Sequence, residues 1–290
     1  MKRIILLLVI LQVCASCINS QNTSSSRLAS FTHAMQKKDT TNMRLILEKW
    51  EKDSPEDPEL ATSYLNYYYL LSQNSSLYLS TDTTSDRDQL LLSDSTGNRV
   101  GSLSDDFSYN DFYINKGLAI IDKAIIKFPD RLDMRFGKIY VLGQLKRWTE
   151  FTTEIIKAIN RSAINKNKWT WTENKPYVGG EKAFHGSLQG YQNDLYNTQN
   201  DSLLTNMQDI AQAVLKYYPN DVQSLSNISI GYIVNNKCEK ALTYLLRAEK
   251  IAPHDPVILS NLSAAYERMG NKKKAEEYLK RCNRFDKDKQ

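Results

Sequence analysis

The sequence predicts an all-α protein, an α-α solenoid of about five or six helical hairpins, with a small β-hairpin insertion near residues 88–104. Three observations carry that prediction. Leu225, Asn227, Ile228, Ser229, Tyr232, Ala241, Tyr244, Leu245 and Ala248 are followed, at a lag of about 34 residues, by Leu259, Asn261, Leu262, Ser263, Tyr266, Ala275, Tyr278, Leu279 and Cys282. Within each period, apolar residues recur every three or four positions behind a capping Asp221 or Asp255, and a turn at Asn235-Asn236 or Gly270-Asn271 leads into a second helix. The period is interrupted by Ser-, Thr- and Gly-rich stretches, where repeat proteins accept added structure.

Taken from the N-terminus, Lys2-Arg3 precede an apolar run from Ile4 to Val13, shorter than a bilayer span and suited to a secretory signal. Ala15-Ser16-Cys17 follows, and this resembles a bacterial lipobox, with Cys14 where a leucine is usual. The resemblance implies a lipoprotein signal peptide over 1–16, lipidation of Cys17, and a polar tether over 17–26 ending in Gln21 to Ser26. It places the protein in the bacterial envelope, attached to the outer membrane and facing the periplasm. An ordinary cleavage site followed by an incidental cysteine is the alternative.

The remainder, 27–290, is expected to be the repeat domain. Helices are expected over 27–53 and 58–73. In the insertion, 74–106, Leu90-Leu91-Leu92 and Val100 to Leu103 flank Ser95-Thr96-Gly97-Asn98, the pattern of two strands around a Gly-Asn turn, placed between the two helices of one repeat. Gly117, Ile121, Ala124 and Pro129 keep a second-helix spacing, and further pairs are expected at 131–145 with 148–161 and at 179–197 with 202–218. Between them, residues 165–180 hold Trp169, Trp171, Pro176 and Tyr177. These aromatics either fold back over the edge of the helices or form a ligand-stacking loop for a glycan or small ligand.

The clearest units are 222–255 and 256–289. Small Ser229 and Ala241 face large Tyr232 and Leu245, so two antiparallel helices pack closely, and Pro253 ends the second. This arrangement resembles the tetratricopeptide repeat (TPR). The resemblance implies a superhelix whose concave face is lined by the first helix of each unit. Here that face would present Gln223, Ser226, Ile230, Ile233, Val257, Ser260, Ala264 and Glu267 to a protein or peptide partner. The family's carboxylate-clamping members use Lys and Arg at positions that hold Ser226, Ile230, Ser260 and Ala264 here, with only Asn227 and Asn261 matching, so that ligand is not expected.

Net charge is +5, which becomes +3 without Lys2 and Arg3, and Lys and Arg are interspersed with Asp and Glu, so no nucleic-acid partner is expected. Lys272-Lys273-Lys274 reads as a solvated face. His33, His185 and His254 stand in no metal-ligand spacing, no phosphate loop or nucleophile elbow is present, and neither catalysis, cofactor nor metal is expected. His185 is the one histidine near the aromatic cluster. Cys238 and Cys282 fall near opposite ends of neighbouring second helices. A rise of roughly 15 Å separates them, against the ~7 Å limit of a disulfide, so both are expected reduced.

Overall fold

The computed structural model describes residues 24–81 and 90–287. The stretch expected to be a signal peptide, 1–16, and the expected lipidation site Cys17 lie outside the described residues, and the expected tether enters them only at 24–26, which already belong to helix α1 (residues 24–36). The chain forms two compact units. One takes the chain up to Val141 together with Thr172–Lys175, and the other takes Leu142–Trp171 and everything from Pro176 onward.

The first unit contains α1, α2 (Thr40–Asp53), α3 (Pro58–Ser72), strands β1 (Gln73–Ser80), β2 (Leu90–Ser93) and β3 (Arg99–Tyr109), α4 (Asp111–Lys127) and most of α5 (Leu132–Gln144). The stretch expected as helix over 27–53 is broken between α1 and α2, where Lys38 takes a φ of 53° and Asp39 caps α2 by accepting from the Asn42 N–H. Phe31, Ala34, Met43, Leu47, Trp50, Leu60 and Tyr67 form one buried cluster. Asp57 does two jobs at its edge, capping α3 through the Glu59 N–H and accepting from Trp50 Nε1 at 3.0 Å.

The insertion is larger than a hairpin. β2 and β3 are the expected pair, turned at Asp94, whose carboxylate accepts from Thr96 and Asn98 while Gly97 supplies a φ of 88°. β1 adds a third strand in the order β1-β3-β2. Its sequence, QNSSLYLS, lacks the β-branched residues that mark a strand, so pairing with β3 from Gln73↔Tyr109 to Ser80↔Ser102 sets its conformation. The Asn110 N–H bonds Ser72 O at 2.8 Å, which returns the chain to α4 at the point where it left α3. The α3 and α4 helices consequently pack as one hairpin. Gly117 makes the close approach possible, since a Cβ there would stand 3.3 Å from Tyr68 Cβ.

Residues 172–175 are held in this unit by a buried ionic cluster. Arg131 reaches Glu59 with Nη1 at 2.8 Å and Asp133 with Nη2 at 2.7 Å, and Arg131 and Glu59 are each 2% exposed. The Glu173 N–H donates to Glu59 Oε1 at 2.7 Å and Thr172 Oγ1 to Asp133 Oδ2 at 3.3 Å. Burial pushes the Glu59 carboxyl up from its ordinary range, with Arg131 opposing. The guanidinium, held between two carboxylates, stays charged.

The second unit runs from the end of α5 through α6 (Trp148–Asn165), α7 (Gly180–Asn197), a 3-10 turn at Asp201–Leu203, α8 (Leu204–Tyr217), α9 (Val222–Val234), α10 (Cys238–Ile251), α11 (Pro256–Arg268) and α12 (Lys272–Lys287). One turn joins most of the helix pairs: Lys38, Lys146, Asn236 and Gly270 are left-handed, and the residue after each donates to the carbonyl five residues before itself, at 2.8–3.0 Å. The described chain is therefore a TPR-like series of helical hairpins carrying one β insertion.

In the last two hairpins the period has physical content. Tyr232 stacks on Tyr244 with ring centroids 5.8 Å apart, and Tyr266 on Tyr278 at 5.6 Å. Arg247 and Arg281 each donate to the carbonyl of the proline 28 residues before, Pro219 and Pro253. Ala241 is fully buried, Ala275 is nearly so, and Ser263 Oγ donates to Ala275 O at 2.8 Å. Cys238 and Cys282 are buried and not joined in a disulfide, and Lys272, Lys273 and Lys274 are exposed.

Candidate partner-binding face

The face expected to meet a partner lies on α9 and α11, both started by aspartate caps. The Asp221 carboxylate accepts from the Ser224 N–H at 2.7 Å, and that of Asp255 from Val257 at 2.9 Å. Asp221 also meets His185 Nδ1 at 3.3 Å. Burial alone would raise the Asp221 carboxyl, but the His185 and Ser224 hydrogen bonds outweigh it and hold it below its usual value.

Of the eight expected positions, the structure leaves six open to some degree. Gln223, Val257, Ser260 and Glu267 are exposed, Val257 at 58%, while Ile230 and Ala264 are half-buried. Ser226 and Ile233 are corrections, at 4% and 7% exposure. Ser226 Oγ accepts from Asn261 Nδ2 of α11 at 2.9 Å, and Ile233 packs in one cluster with Ile258, Leu262 and Tyr266. Both lie beneath the next first helix, a burial that the spacing within one repeat does not encode.

The two asparagines shared with the carboxylate-clamping pattern are occupied with packing. Asn261 Nδ2 donates to Ser226, and Asn227 Nδ2 donates to Gln189 Oε1 of α7 at 2.9 Å, so each fastens its first helix to the one before. Ile230 instead faces a cleft of about 340 Å³ that it shares with Leu195, Tyr196, Asp201, Leu204 and Val234. Apolar walls and an amide-bearing rim at Asn197, Gln199 and Asn200 suit a peptide segment, with side chain inside and backbone at the rim. The α7–α8 contribution was not legible beforehand, because only α9 and α11 carry the strong period.

The alternative ligand loop is closed at its centre. Trp169 is 3% exposed and lies against Phe184 with centroids 5.5 Å apart, which removes its ring from any sugar face. Trp171 and Tyr177 are half-buried and tilt together at 5.3 Å. The Tyr177 N–H bonds Trp169 O at 3.0 Å, which closes the loop on itself, while Trp169 packs onto α7 through Phe184. His185 sits edge-on to Tyr218 with ring centroids 4.3 Å apart. Among the described residues no group of three or more His, Cys, Asp or Glu is arranged to hold a metal ion, and no helix is long and apolar enough to cross a membrane.

No family model and no curated protein matches the chain. Among solved structures it is similar to YrrB, described as a TPR protein with an unusual peptide-binding site, at 14% identity over 82% of this chain and 91% of that one, with a TM-score of 0.40. A MamA double mutant matches at 12% identity over 60% and 86%, TM-score 0.40. A tetratricopeptide repeat protein from Parabacteroides merdae matches at 8% over 88% and 77%, TM-score 0.38. Likeness at this level carries no argument about function, which rests on the chain's own surface.

Proposed function

We propose that this protein is a non-catalytic interaction scaffold of the bacterial envelope that holds a protein or peptide segment along the first-helix face of α9 and α11. The observation that carries the reading is the apolar surface left open on that face: Val257 at 58% exposure at the start of α11, and Ile230, toward the end of α9, on the wall of the cleft. Its amide rim supplies hydrogen-bonding partners for an extended backbone. Anchoring through a lipid on Cys17, on the periplasmic side of the outer membrane, belongs to the same proposal and rests on the Ala15-Ser16-Cys17 run behind the apolar segment.

Two measurements test the two halves. Affinity capture from the native envelope, compared between the wild-type protein and Val257→Asp or Ile230→Asp, should lose the same partner with either variant, because a carboxylate is costly against an apolar partner and harmless in water. A partner retained by both variants refutes the face. Cys17→Ala should abolish fatty-acid labelling and release the protein from membranes; persistent label refutes the anchor.

A further inference from the structure

A second cleft, of about 390 Å³, lies wholly within the first unit, between the α2–α3 turn and α4. Its floor is apolar, made by Leu60 and Ala61 of α3 facing Ile120 and Ala124 of α4, and the small side chains of the two alanines leave the space open. Along it runs an aromatic strip. Tyr64 stacks on Tyr68 at 5.9 Å and 15°, and Tyr68 on Tyr113 at 6.3 Å and 20°.

The chain supplies its own cations to Tyr68 and to rings beside the strip, but among the described residues no cation stands over Tyr64. Lys116 Nζ stands 5.8 Å from the Tyr68 ring centre and 4.4 Å from that of Phe112, and Lys127 stands 5.6 Å from that of Phe128. Between them the Tyr64 hydroxyl donates to Glu51 Oε2 at 2.7 Å. The other acids of the cleft are otherwise engaged: Glu56 pairs with Lys127, and Asp57 accepts from Trp50 and from the Glu59 N–H. Among the described residues, no cation pairs with Glu51. Burial holds the Tyr64 and Tyr68 hydroxyls above their ordinary pKa, with the Glu51 hydrogen bond and then its charge adding at Tyr64 and the Glu51 charge adding at Tyr68.

We propose that this cleft receives a lysine or arginine side chain of a partner polypeptide, with the methylene stem on the Leu60, Ala61, Ile120 and Ala124 floor and the cationic head between the Tyr64 ring and the Glu51 carboxylate. The amphipathic length of these side chains matches the order of surfaces, apolar then charged. An aromatic face backed by a carboxylate favours a cation over a neutral group. Lys123, on the α4 wall, disfavours a second basic residue beside the first and so selects an isolated cation rather than a basic run. The site is independent of the α9–α11 face, and neither stands or falls with the other.

The test titrates the full-length protein into a fluorescein-labelled, acetylated Gly-Gly-Arg-Gly-Gly amide and into versions with norleucine or glutamate in place of arginine. Saturable binding of the arginine peptide is expected, about tenfold tighter than norleucine, weakening with added salt. Glu51→Gln, at an exposed position that does not carry the fold, should bring the arginine peptide close to the norleucine value, as should Tyr64→Leu. Absence of binding at millimolar peptide, equal affinity for arginine and norleucine, preference for glutamate, or an unchanged affinity in Glu51→Gln would each overturn the proposal.

Discussion

The α9–α10 and α11–α12 hairpins share a sequence pattern and differ in what covers them. Leu245 on α10 is fully buried, whereas Leu279 at the matching place on α12 is 49% exposed. Ser226 and Ile233 are buried on α9, and their counterparts Ser260 and Glu267 are exposed on α11. Positions that face inward within a hairpin behave alike in both: Ser229 with Ser263, and Ala241 with Ala275. The lesson is that the repeat period specifies the inside of each hairpin, while the neighbour that follows decides which of the outer positions remain for a partner. In α9 that neighbour is α11; among the described residues no helix pair follows α12.

The largest expected effect separates the two leucines. Leu245→Ala removes a side chain packed in one cluster with Ile258 and Leu262 and should cost about 2–5 kcal/mol in chemical denaturation. Leu279→Ala should cost about 1 kcal/mol or less. Equal losses would mean that α11 does not cover α10. Next comes overpacking: Ala241→Leu should cost roughly 1–3 kcal/mol and lower the melting temperature more than Ala275→Leu, because Ala241 sits at 0% exposure and Ala275 at 8%. An unchanged melting curve for Ala241→Leu would mean the hairpin register is wrong.

A smaller difference separates the caps. Asp221 gains His185 as a partner, whereas Asp255 caps α11 through the Val257 and Ile258 N–H groups. Asp221→Ala should cost about 1–2 kcal/mol and Asp255→Ala about 1 kcal/mol. Because the folded carboxyl of Asp221 is held below its ordinary value, its contribution is fully present above the ordinary carboxylate range and is lost as pH falls through the folded-state value. The wild-type protein should therefore lose stability on acidification below about pH 4 more steeply than Asp221→Asn, and superimposable curves would count against the His185–Asp221 contact.

Much of this was legible in the sequence for a physical reason. Side chains inside a hairpin are constrained by size and spacing alone, so Ser229, Tyr232, Ala241 and Leu245 announce the fold, and Asp221 and Asp255 announce helix starts by the N–H groups they cap. Structure set by distant partners was not legible. Strand β1 takes its conformation from β3, the break at Lys38 falls inside an otherwise helical stretch, and Glu59, Arg131 and Glu173 meet across separations of 72 and 114 residues. The Tyr67-Tyr68-Tyr69 run, with Tyr64 one turn earlier, was the available signal for the cleft beside α4.

The central claim, that the partner-facing surface is the part of the first-helix face left uncovered, is tested most directly by thiol accessibility at one repeat position in two contexts. Ser226→Cys and Ser260→Cys are near-isosteric changes at matching sites, and maleimide labelling resolved by peptide mass spectrometry separates each from the buried Cys238 and Cys282. The thiol at 260 is expected to react at the rate of an accessible cysteine and the thiol at 226 to be strongly protected, with protection at 260 appearing only when a partner captured through Val257 is bound. Equal labelling at the two positions in the free protein would contradict it.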